Sequence, residues 1–441
     1  MKERTAAASA RAIRKGPVAG ALGYHGWMPT HRIAALAVLL LALTGCTTTP
    51  PDTTPPSLLL ISIDGLRPSD ITARQMPALF AVGEAGVRAE GMRPSYPSLT
   101  FPNHYAMVTG LRPDHHGIVH NSMRDAALGE FRTSSREAVG TSGWWGGTPV
   151  WVGAERAGLR TATMFWPGSE AEIKGQRPRT WRAYDDDTRA SETAGVVARW
   201  LHVPARERPR FTTLYFDQVD EASHDHGPDS PQAVAARAEV DAAIGGLLQV
   251  LRERKQLQST NIVIVSDHGF ETVPPGRSMR TTDMAPADVA DAVSDGQVIG
   301  FAPRPGKTAE AERALLGRHQ RYECWRKGEL PARWHYGTHP RIPAIICQMD
   351  PGWDALWPAK YQWRMQHDPD ASRGSHGYDP DLPQMRASFI ATGPAFREQV
   401  KLPVFDNVDV YPLLMRLIGL PAAPGDGDIA PLLPALRDDA P

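Results

Sequence analysis

Three β-branched and aliphatic runs in this chain end on aspartate, and that recurrence limits the fold more than any other feature. They are Ser57-Leu-Leu-Leu-Ile-Ser-Ile-Asp64, Phe211-Thr-Thr-Leu-Tyr-Phe-Asp-Gln-Val-Asp220 and Asn261-Ile-Val-Ile-Val-Ser-Asp267-His268-Gly269. Histidine accompanies two of them, with His268 beside Asp267, His224 four residues past Asp220, and His376 far downstream. The carboxyl ends of strands in a parallel α/β sheet form one rim, so side chains from distant sequence meet there in a single crevice. Aspartates crowded at that rim repel one another unless cations neutralise them, and mixed Asp/His shells suit zinc or a similar divalent ion.

The surrounding pattern supports such a sheet. Residues 58–64 read as a buried first strand, Pro77 to Ala85 as a helix, Thr161 to Trp166 as a strand, and Pro231 to Arg254 as an amphipathic helix feeding the strand at Asn261 to Val265. The alternation predicts an α/β, doubly wound, mostly parallel central sheet flanked by helices. Residues 271–375, rich in Pro, Gly, Trp and charge, break the alternation and read as a small inserted cap with a strand at Ile342 to Gln348. Ala387 to Ala391 reads as a late strand and Asn407 to Ile418 as a closing helix, leaving 58–420 as one catalytic domain and 421–441 as a loose, Gly/Pro/Asp-rich tail.

The first 45 residues stand apart from this fold. Arg11, Arg14, Lys15 and Arg32 precede the apolar run Ile33 to Leu43, and Leu43-Thr44-Gly45-Cys46 follows, the order of a bacterial lipoprotein signal peptide; a plain signal peptide or an uncleaved anchor are the alternatives. Met28 offers a second start. Residues 46–57 read as a flexible tether, and a lipid on Cys46 would attach the chain to a membrane in the cell envelope, facing the periplasm. Cys324 and Cys347 remain, an even pair that could form a disulfide in an oxidising compartment or stay as two buried thiols. The 48 Lys and Arg stand against 49 Asp and Glu, and the six Lys or Arg and one Glu of residues 1–45 put the remainder near −6. That balance argues against generic binding to a nucleic-acid backbone.

Pro97-Ser-Leu-Thr100-Phe-Pro102-Asn-His-Tyr105 places a hydroxyl where a helix begins, with residues 102–109 helical and Gly110 ending them. A threonine just before that turn faces free backbone N–H groups and the positive dipole end, which favour a phosphate. An ordinary N-cap is the commoner role of such a residue.

Taken together, Asp64-Gly65, Thr100-Phe-Pro-Asn-His, His116-Gly-Ile-Val with Asn121, Trp166-Pro-Gly-Ser169, Asp220 with His224, Ser266-Asp-His-Gly269, Ser375-His-Gly-Tyr-Asp379 and Asn407-Val-Asp-Val-Tyr-Pro-Leu-Leu-Met415 resemble the nucleotide pyrophosphatase/phosphodiesterase family of the alkaline phosphatase superfamily. The resemblance spans essentially residues 57–420. It implies two zinc ions, one on Asp220, His224 and His376, the other on Asp64, Asp267, His268 and the Thr100 oxygen. It implies that Thr100 attacks phosphorus to give a phosphothreonine, and that Asn121 binds a non-bridging phosphate oxygen. It suggests that Phe101 and Tyr215, with Tyr184 a further candidate, face a nucleobase.

The spacing has a physical basis apart from the resemblance. Asp220 and His224 are one helical turn apart. Asp267 and His268 point to opposite sides of a strand unless the chain turns, which Gly269 permits. The expected activity is hydrolysis of nucleotide phosphodiester or pyrophosphate bonds to nucleoside monophosphates. The alternatives are a diesterase of glycerophosphodiesters or lysophospholipids, whose quaternary ammonium an aromatic wall can hold, and a catalytically silent metal-binding envelope protein.

Overall fold

The computed structural model describes residues 55–440, so the leader and Cys46 lie outside it. Within the stretch read as a tether, Ser57 is already the first residue of a strand. Eight strands form the central sheet: β1 (Ser57–Ile63), β2 (Val87–Ala89), β3 (Thr161–Met164), β4 (Thr180–Arg182), β5 (Phe211–Phe216), β6 (Thr260–Val265), β7 (Phe389–Thr392) and β8 (Val400–Leu402). Their spatial order is β8-β2-β7-β6-β1-β5-β3-β4. Only β7 runs against its neighbours β6 and β2, so the sheet is mixed, with one reversed strand.

The three aspartate-terminated runs occupy the centre of this sheet, and that follows from their composition. β1, β5 and β6 are buried at every position, as strands covered on both faces must be. Successive β1 side chains feed opposite layers: Leu58 and Leu60 pack into one apolar core, Leu59, Ile61 and Ile63 into the other. β1 pairs in parallel with β5 and β6, with Ser62 beside both Tyr215 and Val265, so all three strands end at the same level.

The insertion has its own architecture. A five-stranded antiparallel sheet, ordered Ala290–Ala292, Val298–Pro303, Ile345–Met349, Tyr322–Arg326 and Gly317–Arg318, encloses a separate small core. Cys324 and Cys347 are directly opposed on neighbouring strands of it and are joined by a disulfide. Among the described residues no helix is long and apolar enough to cross a membrane.

The C-terminal segment differs from the loose tail its composition predicts. Residues Ala430–Ala435 form a short 3-10 helix, Leu432 and Leu436 are buried, and Leu436 bridges to Phe396. Earlier in the segment, the Asp426 N–H donates to the Gly110 carbonyl at 2.7 Å, and its carboxylate accepts from the Arg112 N–H at 2.7 Å. A few leucines and one aspartate suffice to dock this segment, and neither leaves a periodic signal.

Candidate active site

Each proposed ligand is delivered by the end of a strand or the helix after it. Asp64 follows β1 directly; the turn needs Gly65, whose φ is +69° and where a Cβ would lie 2.4 Å from the Phe270 ring. Asp220 and His224 share one turn of the helix Gln218–His226, which follows β5. Asp267 and His268 leave β6, and His376 follows a two-stranded ribbon that pairs Arg373–Ser375 with Glu271–Val273. Gly269 does aid the departure from β6, for a reason other than the expected one. Its φ is not among the positive ones; instead, a Cβ there would lie 2.0 Å from the Gln384 carbonyl oxygen. Gly269→Ala is expected to lower stability by about 3 kcal/mol, the upper end for overpacking; an unchanged thermal unfolding midpoint would contradict this.

Cations fit what these residues leave unmet. Buried Asp267 Oδ2 faces two ring nitrogens, His268 Nε2 at 2.9 Å and His104 Nδ1 at 3.4 Å. Asp64 Oδ1 and Asp220 Oδ1 are buried side-chain oxygens with no hydrogen-bond partner. Such atoms are costly unless something outside the protein's own donors satisfies them. The histidines are arranged to complement them. Nδ1 of His224, His268 and His376 lies 3.2, 3.1 and 2.9 Å from the carbonyls of Gly374, Gly269 and Ser98. Each Nδ1–H therefore donates to backbone, which turns Nε2 inward, the arrangement that orients imidazole toward a metal. In His268 that Nε2 lies 2.9 Å from Asp267 Oδ2; burial acts downward on the ring, yet Asp267 raises its pKa, so without a metal a proton sits where an ion would bind. His224 Nε2 and His376 Nε2 face each other at 3.0 Å, which two lone pairs tolerate only with a cation or proton between them.

Two groups at this rim could each hold an ion: Asp220, His268 and His376, and Asp64, Asp267 and His268. His224 adjoins the first, its Nε2 3.5 Å from Asp220 Oδ2. The grouping differs from the expected division in that His268 serves both sets, its ring stacked on His376 at 3.5 Å.

The electrostatics agree. Burial, then Asp267 and Asp220, pushes the Asp64 carboxyl well above its usual range. Burial raises Asp220 to about 7. Burial acts upward on Asp267 too, yet His268 and His104 hold its carboxyl well below the usual range. His224 is lowered to about 3 and His376 well below its usual value, both chiefly by burial, so both are neutral, as ligands must be.

The threonine helix starts earlier than its proline suggests, spanning Thr100–Thr109 with Leu99 as N-cap and Gly110 in the left-handed conformation beyond its end. Thr100 Oγ1 lies 3.4 Å from His268 Nε2, facing the cation-binding set and capping nothing. Few first-turn N–H groups are free. That of Phe101 donates to Asn121 Oδ1 at 3.0 Å, Pro102 has none, and that of Asn103 donates to the Leu99 carbonyl at 3.1 Å. The backbone bond fixes the Asn121 amide, leaving its NH₂ as the donor beside the threonine.

Thr100, Asn121, Asp64, Asp220, His224 and His376 line one cavity of about 430 Å³, with Phe101, Tyr184 and Tyr215 in its wall. Tyr215 differs from the expected base-facing role. It is nearly buried, and its hydroxyl donates to Asp64 Oδ2 at 2.6 Å, because its strand runs beside β1 in register. Tyr184 donates to Asp217, and the Arg136 guanidinium lies 5.5 Å over its ring while pairing with Glu170 at 2.7 Å. Sequence reasoning missed Phe165, a wall residue with φ +63°, and Arg136. Strain of the kind at Phe165 collects at functional sites, but no sequence signal announces it.

The fold and this cleft define an alkaline-phosphatase-like α/β protein with a helix that begins at Thr100 beside the sheet's carboxyl rim. Residues 58–379 match the family described as type I phosphodiesterase / nucleotide pyrophosphatase, and the chain belongs to that nucleotide pyrophosphatase/phosphodiesterase family. It is 33% identical over 394 residues to an uncharacterized pyrophosphatase/phosphodiesterase, C725.05c, of Schizosaccharomyces pombe, covering 87% of this chain and 81% of that one. It is 32% identical to the venom phosphodiesterase of Naja atra across 88% of its own length, yet spans only 47% of that protein. Murine ectonucleotide pyrophosphatase/phosphodiesterase 5 superposes with a TM-score of 0.80 at 29% identity, covering 86% of this chain and 100% of that one. An inactive threonine-to-alanine form of that enzyme, in complex with AMP, also superposes with a TM-score of 0.80, at 28% identity over 87% of this chain and 100% of that one.

Proposed function

We propose that this protein hydrolyses nucleotide phosphodiester or pyrophosphate bonds, releasing nucleoside monophosphates through a phosphothreonine on Thr100, with two divalent ions, zinc by donor type, held by Asp64, Asp220, His224, Asp267, His268 and His376. The observation that carries this reading is the convergence of three carboxylates with buried oxygens and three backbone-anchored imidazoles beside Thr100. Ions bound there would polarise the phosphoryl group and ease deprotonation of its nucleophile.

The chain's own residues then do the rest. Thr100 Oγ1 forms a bond to phosphorus as the bond to the leaving oxygen breaks, and water later cleaves the Thr100–phosphorus ester. The Asn121 NH₂, fixed through the Phe101 N–H, donates to a non-bridging oxygen. Tyr215 holds Asp64 in place, and Phe101 and Tyr184 wall the region where a base would stack. The murine relative whose threonine-to-alanine form is inactive and holds AMP supports both the nucleophile and the nucleotide. A silent metal-binding protein has no need of a threonine so placed.

One observation favours a second reading, a glycerophosphodiesterase of choline-bearing esters. Glu170, Asp186, Asp217, Glu221 and Asp225 line the same cavity beside its aromatic walls, surroundings that attract a quaternary ammonium. Hydrolysis rates for a dinucleoside polyphosphate and for glycerophosphocholine separate the two. The nucleotide is expected to turn over faster; faster turnover of the choline ester would reject the nucleotide reading.

An envelope location follows from the leader and Cys46, and the Cys324–Cys347 disulfide agrees with an oxidising compartment.

A further inference from the structure

His104 lies one helical turn beyond Thr100, fully buried, and belongs to neither cation-binding group. Its Nδ1 is 2.9 Å from the Thr100 carbonyl oxygen and 3.4 Å from Asp267 Oδ2. A carbonyl and an ionised carboxylate have no proton to offer, so Nδ1 carries one and points it between them. Nε2 is then the acceptor, and Ser62 Oγ, 2.7 Å away, donates to it. Ser62, His104 and Asp267 are all at 0% exposure. The edges of Trp166 and Tyr215, each with its ring centre 5.1 Å away, hold the imidazole plane. Ser62, His104 and Asp267 come from three elements: the end of β1, the threonine helix and the turn after β6.

We infer that His104 is a positioning residue that ties the turn bearing Thr100 to the Asp267 carboxylate, so that the nucleophile and the metal ligand keep a fixed relation. The inference rests on Asp267 being a metal ligand, as proposed above. His104 Nδ1 restrains Asp267 Oδ2 from 3.4 Å, and Ser62 fixes the tautomer that makes this possible. The other ring nitrogen facing that oxygen, His268 Nε2 at 2.9 Å, is the one a metal would engage. Partners of this kind behind a ligand typically change metal affinity by about 10–100-fold when lost.

Two substitutions separate positioning from mere space filling. H104N puts an amide N–H near the place of Nδ1 but leaves a void. H104Q fills more of the volume but carries its amide toward Ser62, leaving the Thr100 carbonyl and Asp267 without the His104 donor. A packing role makes H104N the worse variant; a positioning role makes H104Q worse.

The measurement is zinc affinity of the full chain, stripped of metal and titrated against a chromogenic chelator, with thermal unfolding of the stripped protein as a check on folding. The wild type is expected to take up two zinc ions, H104N to stay within about threefold of it, and H104Q to lose about 10–100-fold at one site. Wild-type affinity in H104Q, or weaker binding by H104N than by H104Q, would overturn the inference. If H104Q does not fold, S62A stands in; it is expected to weaken zinc several-fold by freeing the ring, and unchanged affinity overturns the inference. A wild type that takes up no zinc overturns the metal reading and this inference with it, and shows itself before any variant is made.

Discussion

Thr100→Ala is expected to abolish phosphodiester hydrolysis, lowering kcat/KM by at least about 10³-fold, the scale on which losing a nucleophile acts. The change removes one hydroxyl from the first residue of the helix Thr100–Thr109, and alanine is a better helix former than threonine, so the helix should persist. Its hydroxyl makes one long contact, 3.4 Å to His268 Nε2, and caps no backbone N–H, so little stability goes with it. The variant should therefore still bind zinc and unfold near the wild-type temperature while turning over no substrate. Serine in the same place should restore part of the rate, since it returns the hydroxyl. A Thr100→Ala protein with more than a tenth of wild-type activity would mean that water attacks phosphorus directly, and the phosphothreonine would have to be abandoned.

Metal removal should have an effect of comparable size, and its pH dependence has a definite sign. In the metal-free protein burial raises Asp220 to about 7 and Asp64 well above its usual range. The folded state thus binds protons that the unfolded chain releases near pH 4, so the stability linked to them is present below that pH and is lost as pH rises through about 7. Zinc reverses the trend, because it requires the same carboxylates ionised. His224 and His376, kept neutral chiefly by burial, act the other way below about pH 6.5, where the unfolded chain protonates them. The carboxylate effect is therefore read above that pH: stripped protein should unfold at a lower temperature at pH 8 than at pH 6.5. Zinc at about a thousand times its dissociation constant should add about 4 kcal/mol, with most of the gain at pH 8. Hydrolysis should vanish on stripping and return with zinc. An unfolding midpoint of the stripped protein that stays flat between pH 6.5 and 8 would show that these carboxylates are not strained by burial.

What the sequence made legible was whatever depends on short-range pattern. The runs before Asp64, Asp220 and Asp267 are dominated by aliphatic, aromatic and β-branched residues, and the structure buries every residue of β1, β5 and β6. Once those strands are parallel, their carboxyl ends must share a rim, so the ligand set could be named from its attachment points. What escaped depends on contacts between distant segments. Gly269 was read as a turn former, whereas the Gln384 carbonyl crowds it. Tyr215 was read as facing a base on the family resemblance, whereas register with β1 carries its hydroxyl to Asp64. His268 serves both candidate ion groups because its ring stacks on His376, and sequence spacing says nothing of that. The docked C-terminal segment rests on Leu432, Leu436 and Asp426, too few residues to stand out from a Gly/Pro background.

The most direct test of the two-metal phosphodiesterase reading is hydrolysis by zinc-loaded protein of the p-nitrophenyl ester of thymidine monophosphate beside p-nitrophenyl phosphate. The expected result is strong preference for the diester, with the rate lost in Thr100→Ala. Preference for the monoester would contradict it.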